Sequence, residues 1–409
     1  LLSIYQGLDH RHFMKLLIMI LFLALAYLPT QANTDTHTHS NTNASQHLVA
    51  LGDSLTVGYE PGGAPYYGII DRLYEQALYR GRAEFHNFGI NGLTSGGLRE
   101  LLQSVSIGGE APRNIRQVGV GATPTPEAFQ QALKTANIIT ITIGGNDFIR
   151  LPLEIQGKTD KLAGEVIDAR IQEYEENLES VLQMLYDINP GAAIYVADQY
   201  QPYPPVDVQL YRKLGEATER FTQTLDQLVK TRQEKGHNVY PVYVAQPFVG
   251  KEISLTHITR LDIHPNQAGY GKMAEAFGMA IWGELYPAPL KAENKPLSIL
   301  VKGKEVDSPH KPILIEGRTF IPLREYTEAL GAEVEWDPQT KSAIVKYQSR
   351  VVGFQIGWDQ AKVGNVTVPL TGAVRNHHGK TYVPLRAMAE GLGFDVQYVE
   401  RSKIVFINP

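Results

Sequence analysis

From residue 47 onward, short apolar runs alternate with longer segments in which apolar residues recur every three or four positions. Residues 48–51, 138–143 and 192–197 read as strands without a polar face, which suits a parallel sheet covered by helices on both sides. Residues 83–90 and 239–244 read as two further strands. Between them, Ile167, Ile171, Tyr174, Leu178, Val181 and Leu185 trace one face of a helix, as do Leu214, Ala217, Phe221, Leu225 and Leu228. Residues 267–285 predict a closing helix. Pro241 cannot donate to a central ladder, so the last strand belongs at an edge. The pattern predicts an α/β fold, a flavodoxin-like three-layer parallel sheet of strand order 2-1-3-4-5.

Beyond a linker at 287–296, which holds three prolines, the periodicity changes and an internal repeat begins. Gly317-Arg318-Thr319-Phe320-Ile321-Pro322-Leu323-Arg324 recurs as Gly379-Lys380-Thr381-Tyr382-Val383-Pro384-Leu385-Arg386. Each copy continues into a helical stretch, a Leu-Gly turn, an aromatic (Trp336, Tyr398) and a closing strand. Two such units predict one small α+β domain over 297–409. His377-His378, in the turn before Gly379, has no companion ligands and reads as turn chemistry.

The N-terminal part serves targeting rather than folding. Met14-Lys15 precedes an apolar run over 16–28 and then small residues up to Ala32. That run is shorter than the roughly 20 residues a membrane span needs, so a secretory signal peptide is expected rather than an uncleaved anchor, with translation starting at Met14 and a cleavage point after Ala32. A secreted or cell-surface location follows from this reading. Residues 33–46 are a polar linker with little to bury.

Charge and composition narrow the chemistry. The 409 residues carry a net charge of -5 and no basic block interleaved with aromatics, so no nucleic-acid partner is expected. The absence of cysteine excludes disulfides, thiolate metal sites and a cysteine nucleophile. No metal or organic cofactor is expected.

Ligands of open α/β sheets bind beyond the carboxyl ends of the strands, and four polar segments fall there. They are Gly52-Asp53-Ser54-Leu55, Asn91-Gly92, Gly144-Gly145-Asn146-Asp147 and, before the last helix, Asp262-Ile263-His264-Pro265-Asn266. A serine hydroxyl becomes a useful nucleophile when a histidine takes its proton, and an acid fixes that histidine's tautomer. Each segment alone is ordinary turn chemistry; their joint occurrence is the signal. No Gly-x-Ser-x-Gly elbow occurs, which counts against an α/β-hydrolase.

In their order and content these four segments resemble the blocks of the SGNH or GDSL-type serine esterases and lipases, over residues 47–286. The resemblance implies Ser54 as nucleophile and His264 as base, with the amides of Ser54 and Gly92 and the side chain of Asn146 as oxyanion hole. The family's acid usually stands three residues before the histidine, where this chain has Leu261. Asp262 is therefore expected to orient His264, against a Ser-His dyad that uses a backbone carbonyl. His257 is a rival base, expected at the surface or in packing. Asp53 and Asp147 are expected to bind loop amides and hold Ser54 and Asn146. The repeat at 297–409 resembles the copper amine oxidase N-terminal-like domain of bacterial surface proteins, which implies a binding role at the cell envelope.

The expected function is hydrolysis of acyl esters through an acyl-enzyme, the substrate being a lipid, a short-chain ester or an O-acetylated glycan. Deacetylation of a wall or plant polysaccharide on the same fold is the alternative. A non-catalytic envelope-binding protein is the reading from another class. The Tyr- and Pro-rich loops at 59–67 and 199–206 are expected near the substrate, and the Gly- and Pro-rich stretch 104–126 reads as a lid or an inert insertion.

Overall fold

The computed structural model describes residues 45–62, 67–106, 125–287 and 297–409. The export segment, most of the polar linker, nearly all of the 104–126 stretch and nearly all of the 287–296 linker lie outside these residues. No helix among the described residues is long and apolar enough to cross a membrane.

Strands β1 (Gln46–Gly52), β2 (Ala83–Gly89), β3 (Ile138–Thr142), β4 (Ala193–Ala197) and β5 (Val239–Val242) form one parallel sheet in the order β2-β1-β3-β4-β5. The expected order is the observed one. β5 pairs only with β4, so Pro241 stands opposite Val196 without removing a central hydrogen bond. β1 begins at Gln46, one residue inside the stretch assigned to the linker, because Gln46 pairs with Ala83.

Alternate residues of each strand feed two cores, since successive side chains point to opposite faces. Val49, Leu51, Ile139 and Ile141 pack under helices α3 (Ser95–Ser106), α4 (Pro126–Thr135), α6 (Asp160–Ile188) and α7 (Val208–Glu234). Leu48 and Ala50 pack on the other face under α2 (Ile69–Leu78) and α9 (Gln267–Trp282). The closing helix is three residues shorter than the pattern predicts, because Gly283 terminates it in the left-handed conformation, φ 72°.

The C-terminal residues form three small sheets around their own core, which includes Ile321, Leu330, Val345, Val383 and Ile407. The repeated segments are two strands, Arg318–Pro322 and Lys380–Pro384, each running straight into a helix, Leu323–Leu330 or Leu385–Gly391. The two strands pair antiparallel with Ile321 opposite Val383, which are equivalent positions of the repeat. The two copies are thus related by a local two-fold axis through that pair. The aromatics Trp336 and Tyr398 lie in strands of their own, Glu333–Asp337 and Asp395–Val399, which the simple unit did not foresee.

This C-terminal unit shares a core with the sheet domain: Leu300, Ile404 and Phe406 pack in the same cluster as Ala77, Leu78 and Tyr79. Tyr79 meets Phe406 edge-on at 5.1 Å. Asn408, buried, donates from Nδ2 to the carbonyls of Leu78 and Gly81, both at 2.8 Å, and so satisfies the end of α2. Arg82 donates to the carbonyls of Gly393 and Pro409, both at 2.6 Å. The linker therefore joins two docked units.

Candidate active site

The first loop is fixed by a close approach of two strand ends. Gly52 holds φ 136°, and a Cβ there would stand 2.0 Å from the Thr142 carbonyl oxygen, so only glycine lets β1 and β3 meet as they do. The next residue, Asp53, donates its N–H to that carbonyl at 3.0 Å. Its side chain accepts from the Leu55 N–H at 3.0 Å and from Thr142 Oγ1 at 3.3 Å. Asp53 thereby caps the four-residue helix α1 (Ser54–Val57) and presents Ser54 at its first position. Burial pushes the Asp53 carboxyl up to about 7.

The second and third loops supply donors. Gly92 adopts φ 77°, which favours glycine, and a Cβ there would meet no protein atom within 4 Å. Its requirement is thus conformational rather than one of protein crowding. The peptide N–H groups of Ser54 and Gly92 have no acceptor among the described residues. Asn146 donates one amide hydrogen to the Leu93 carbonyl at 2.9 Å, which fixes the amide and leaves its second hydrogen available. Asp147 binds the Ser95 N–H at 2.9 Å and the Ser95 hydroxyl at 2.5 Å, tying the third loop to the second; burial raises its carboxyl as well.

The fourth loop brings in His264. His264 Nε2 lies 2.8 Å from Ser54 Oγ, and His264 Nδ1 lies 2.7 Å from Asp262 Oδ1. The same Asp262 oxygen also accepts the His264 peptide N–H at 2.8 Å. An acid only two residues before the histidine reaches both groups because Leu261 turns left-handed, φ 61°, at the end of a short 3-10 turn, Ile258–Arg260. Asp262, rather than a backbone carbonyl, is therefore the group that stands at His264 Nδ1. His257 turns its Nε2 to Glu60 at 3.2 Å, while its peptide N–H holds the His264 carbonyl at 2.9 Å.

Several contacts around the imidazole had no signal in the sequence pattern. Tyr59 packs against the His264 ring at 4.5 Å between centroids, and the Tyr270 hydroxyl holds the Tyr59 carbonyl at 2.7 Å. The Tyr200 hydroxyl donates to the Ile263 carbonyl at 2.8 Å, with its ring stacked on Phe248. Tyr59 and Tyr200 do fall in the two aromatic loops singled out for the substrate, but their partners depend on tertiary placement.

Ser54, Asn146, Asp262 and His264 open onto one cleft of about 340 Å³. Gly92 is not part of its wall. Away from the histidine the lining is mostly apolar, from Phe148, Leu151, Leu214, Ala217 and Phe221, with Gln199, Gln201 and Thr218 as polar members. Among the described residues no group of three or more His, Asp or Glu side chains is arranged to hold a metal ion. The parts present are those of acyl transfer: a hydroxyl on an imidazole, a carboxylate on its far nitrogen, and unengaged N–H donors nearby.

Comparison with known proteins agrees with this architecture. The GDSL-like Lipase/Acylhydrolase family matches residues 50–272, and the copper amine oxidase N-terminal domain matches residues 300–407. The uncharacterized protein YpmR of Bacillus subtilis is 24% identical over 245 residues, covering 59% of this chain and 84% of that protein. Among solved structures, the lipase Lip_vut3 from a goat rumen metagenome is 21% identical with a TM-score of 0.45, covering 59% of this chain and 100% of its own. A family 3 carbohydrate esterase of Clostridium thermocellum is 18% identical with a TM-score of 0.34, covering 57% and 94%. With more than half of its length matched, the chain belongs to the GDSL-like lipase/acylhydrolase family and carries a copper amine oxidase N-terminal domain behind the hydrolase fold.

Proposed function

We propose that the protein is a serine hydrolase that cleaves carboxylic esters with an apolar acyl group. Ser54 Oγ attacks the ester carbonyl carbon while its proton passes to His264 Nε2. Asp262 steadies the imidazolium through Nδ1. The carbonyl oxygen, now negative, takes hydrogen bonds from the Ser54 and Gly92 amides and from the free hydrogen of Asn146; one such donor is worth about 2.7–4 kcal/mol where measured. Collapse breaks the bond to the alcohol oxygen, which leaves with the proton from His264. Water, deprotonated by the same histidine, then attacks the acyl-enzyme and frees the acid and Ser54.

The observation that carries this reading is the chain of two contacts, 2.8 Å from Ser54 to His264 and 2.7 Å from His264 to Asp262. The apolar lining of the cleft supports a hydrocarbon acyl chain over an acetyl group. In a chromogenic series from acetyl through butyryl to octanoyl esters, kcat/KM should rise about fourfold per methylene, the equivalent of ~0.8 kcal/mol each, until the cleft is filled. Ser54→Ala should abolish turnover. Equal rates for wild type and Ser54→Ala would sink the hydrolase reading and leave an envelope-binding protein. A preference for acetyl esters would favour the polysaccharide deacetylase instead. Export through the segment at 14–32, and an envelope contact through 297–409, complete the proposal.

A further inference from the structure

The segments that build the cleft also carry large apolar side chains exposed among the described residues. Leu261, Val206, Leu153, Val208 and Ile149 are between 47% and 94% exposed, Leu261 the most. They come from three segments that also build the cleft. Ile149 and Leu261 line it directly, Leu153 follows the lining pair Leu151 and Pro152, and Val206 and Val208 follow Pro202 and Tyr203. Tyr203 and Leu210 pack against the same buried cluster that holds Leu151 and Ile155, so the second and third segments share a core.

Leu261 is unfavourable twice over. It is a leucine in a left-handed conformation that suits Gly or Asn, and it is almost wholly in water. Scattered exposed apolar residues need no explanation, but five large ones on the three segments that build one cleft mark an interaction surface. Exposed Ile344 in the C-terminal sheet is of the scattered kind, standing beside the Glu335–Lys346 ion pair.

We propose that this rim docks the protein on the surface of a neutral or zwitterionic acyl lipid, so that an acyl chain enters the cleft from the lipid phase without crossing water. The choice of a lipid rests on the ester-hydrolase reading, because a cleft lined by Phe148, Leu214 and Phe221 continues the rim inward as one apolar path. The charges among the rim residues are of both signs, Arg150 against Glu154 and Asp207, and the chain's net charge is -5. Docking is therefore apolar rather than electrostatic and needs no anionic headgroup.

The test uses the full chain carrying Ser54→Ala, which cannot consume the lipid, mixed with phosphatidylcholine vesicles and sedimented at low and high salt. The protein should sediment with the vesicles equally at both salts. Adding Leu153→Ser, Val206→Ser and Val208→Ser, none of which lines the cleft, should lower the vesicle-bound to free ratio by about tenfold or more. The same triple variant with Ser54 restored should hydrolyse a soluble butyryl ester within about twofold of wild type, since the ester in solution does not use the rim. Failure to bind vesicles, binding lost at high salt, or binding unchanged in the triple variant would each overturn the proposal. So would self-association that the triple variant abolishes, which would make a second copy the occupant. Should the triple variant not fold, Val206→Ser alone must still weaken binding. Vesicle binding without ester turnover would fell the hydrolase reading alone; turnover without vesicle binding would fell the docking alone.

Discussion

Asp262 uses a single oxygen for two tasks, and this makes its replacement by asparagine informative. Oδ1 accepts both the peptide N–H and the Nδ1 of His264, at 2.8 and 2.7 Å. Asp262→Asn keeps an oxygen that can accept both bonds, so the imidazole should retain its tautomer and orientation. What is lost, on the proposed mechanism, is the negative charge facing the imidazolium that forms as Ser54 gives up its proton. Unit charges about 4 Å apart interact by ~4 kcal/mol at an effective dielectric of about 20. The pair is 21% exposed on either side, so roughly 2–3 kcal/mol is a fair share after screening. At ~1.36 kcal/mol per decade, kcat on a butyryl ester should fall roughly 30- to 150-fold. Asp262→Ala removes the acceptor as well and leaves the imidazole unoriented, a loss on the order of 10,000-fold. Steady-state kinetics of the two variants decide the matter. Equal losses in both, or kcat within about threefold of wild type in Asp262→Asn, would refute this account of the acid.

Two further perturbations test how the site and the fold are held. Asp53 has its carboxyl raised from 3.8 to about 7 in the folded protein, so the fold binds more protons than the unfolded chain between those values and its stability falls as pH rises across that window. Three pH units correspond to ~4 kcal/mol, so Asp53→Asn, which mimics the protonated form, should gain up to about that much over wild type by pH 8 and almost nothing near pH 4. Parallel pH profiles in urea unfolding would exclude the effect. Asn408→Ala strands the Leu78 and Gly81 carbonyls, and should cost about 2–4 kcal/mol in the same assay, measured through the hydrolase domain. A loss below about 1 kcal/mol would mean that the docking contact does not hold the end of α2.

Much of the hydrolase fold was legible because its signals are local. Unbroken apolar runs give buried strands whatever lies around them, and Pro241 marks an edge by its missing donor alone. That Ser54, Asn146 and His264 come together at one cleft was legible for the same reason, each lying just past a strand end or before a helix. Asp262 was harder. Its reach depends on Leu261 being left-handed, a conformation that a leucine does not advertise. The extra strands holding Trp336 and Tyr398 were missed because an aromatic next to a turn fits a loop as well as a short strand. The contacts of Tyr59, Tyr200 and Tyr270 were invisible because each joins residues brought together only by the sheet.

The docking of the C-terminal unit was least legible, and it bears on the site. Its polar contacts, Asn408 and Arg82, carry no periodicity, and its apolar contacts are indistinguishable from an internal core. One further contact lies near the active-site helix. Arg401 reaches the side chain of Gln267 at 3.2 Å and lies over the Tyr67 ring at 5.0 Å. Gln267 opens α9 three residues after His264, and it also donates to Glu60 at 2.9 Å, the carboxylate that engages His257. The loop holding the histidine is thus braced from behind by residues to which the C-terminal unit contributes. A family match that ends at residue 272 divides the chain by ancestry. By packing, the hydrolase fold extends to the buried Asn408, so the domain behind it belongs to the same folded body as Ser54.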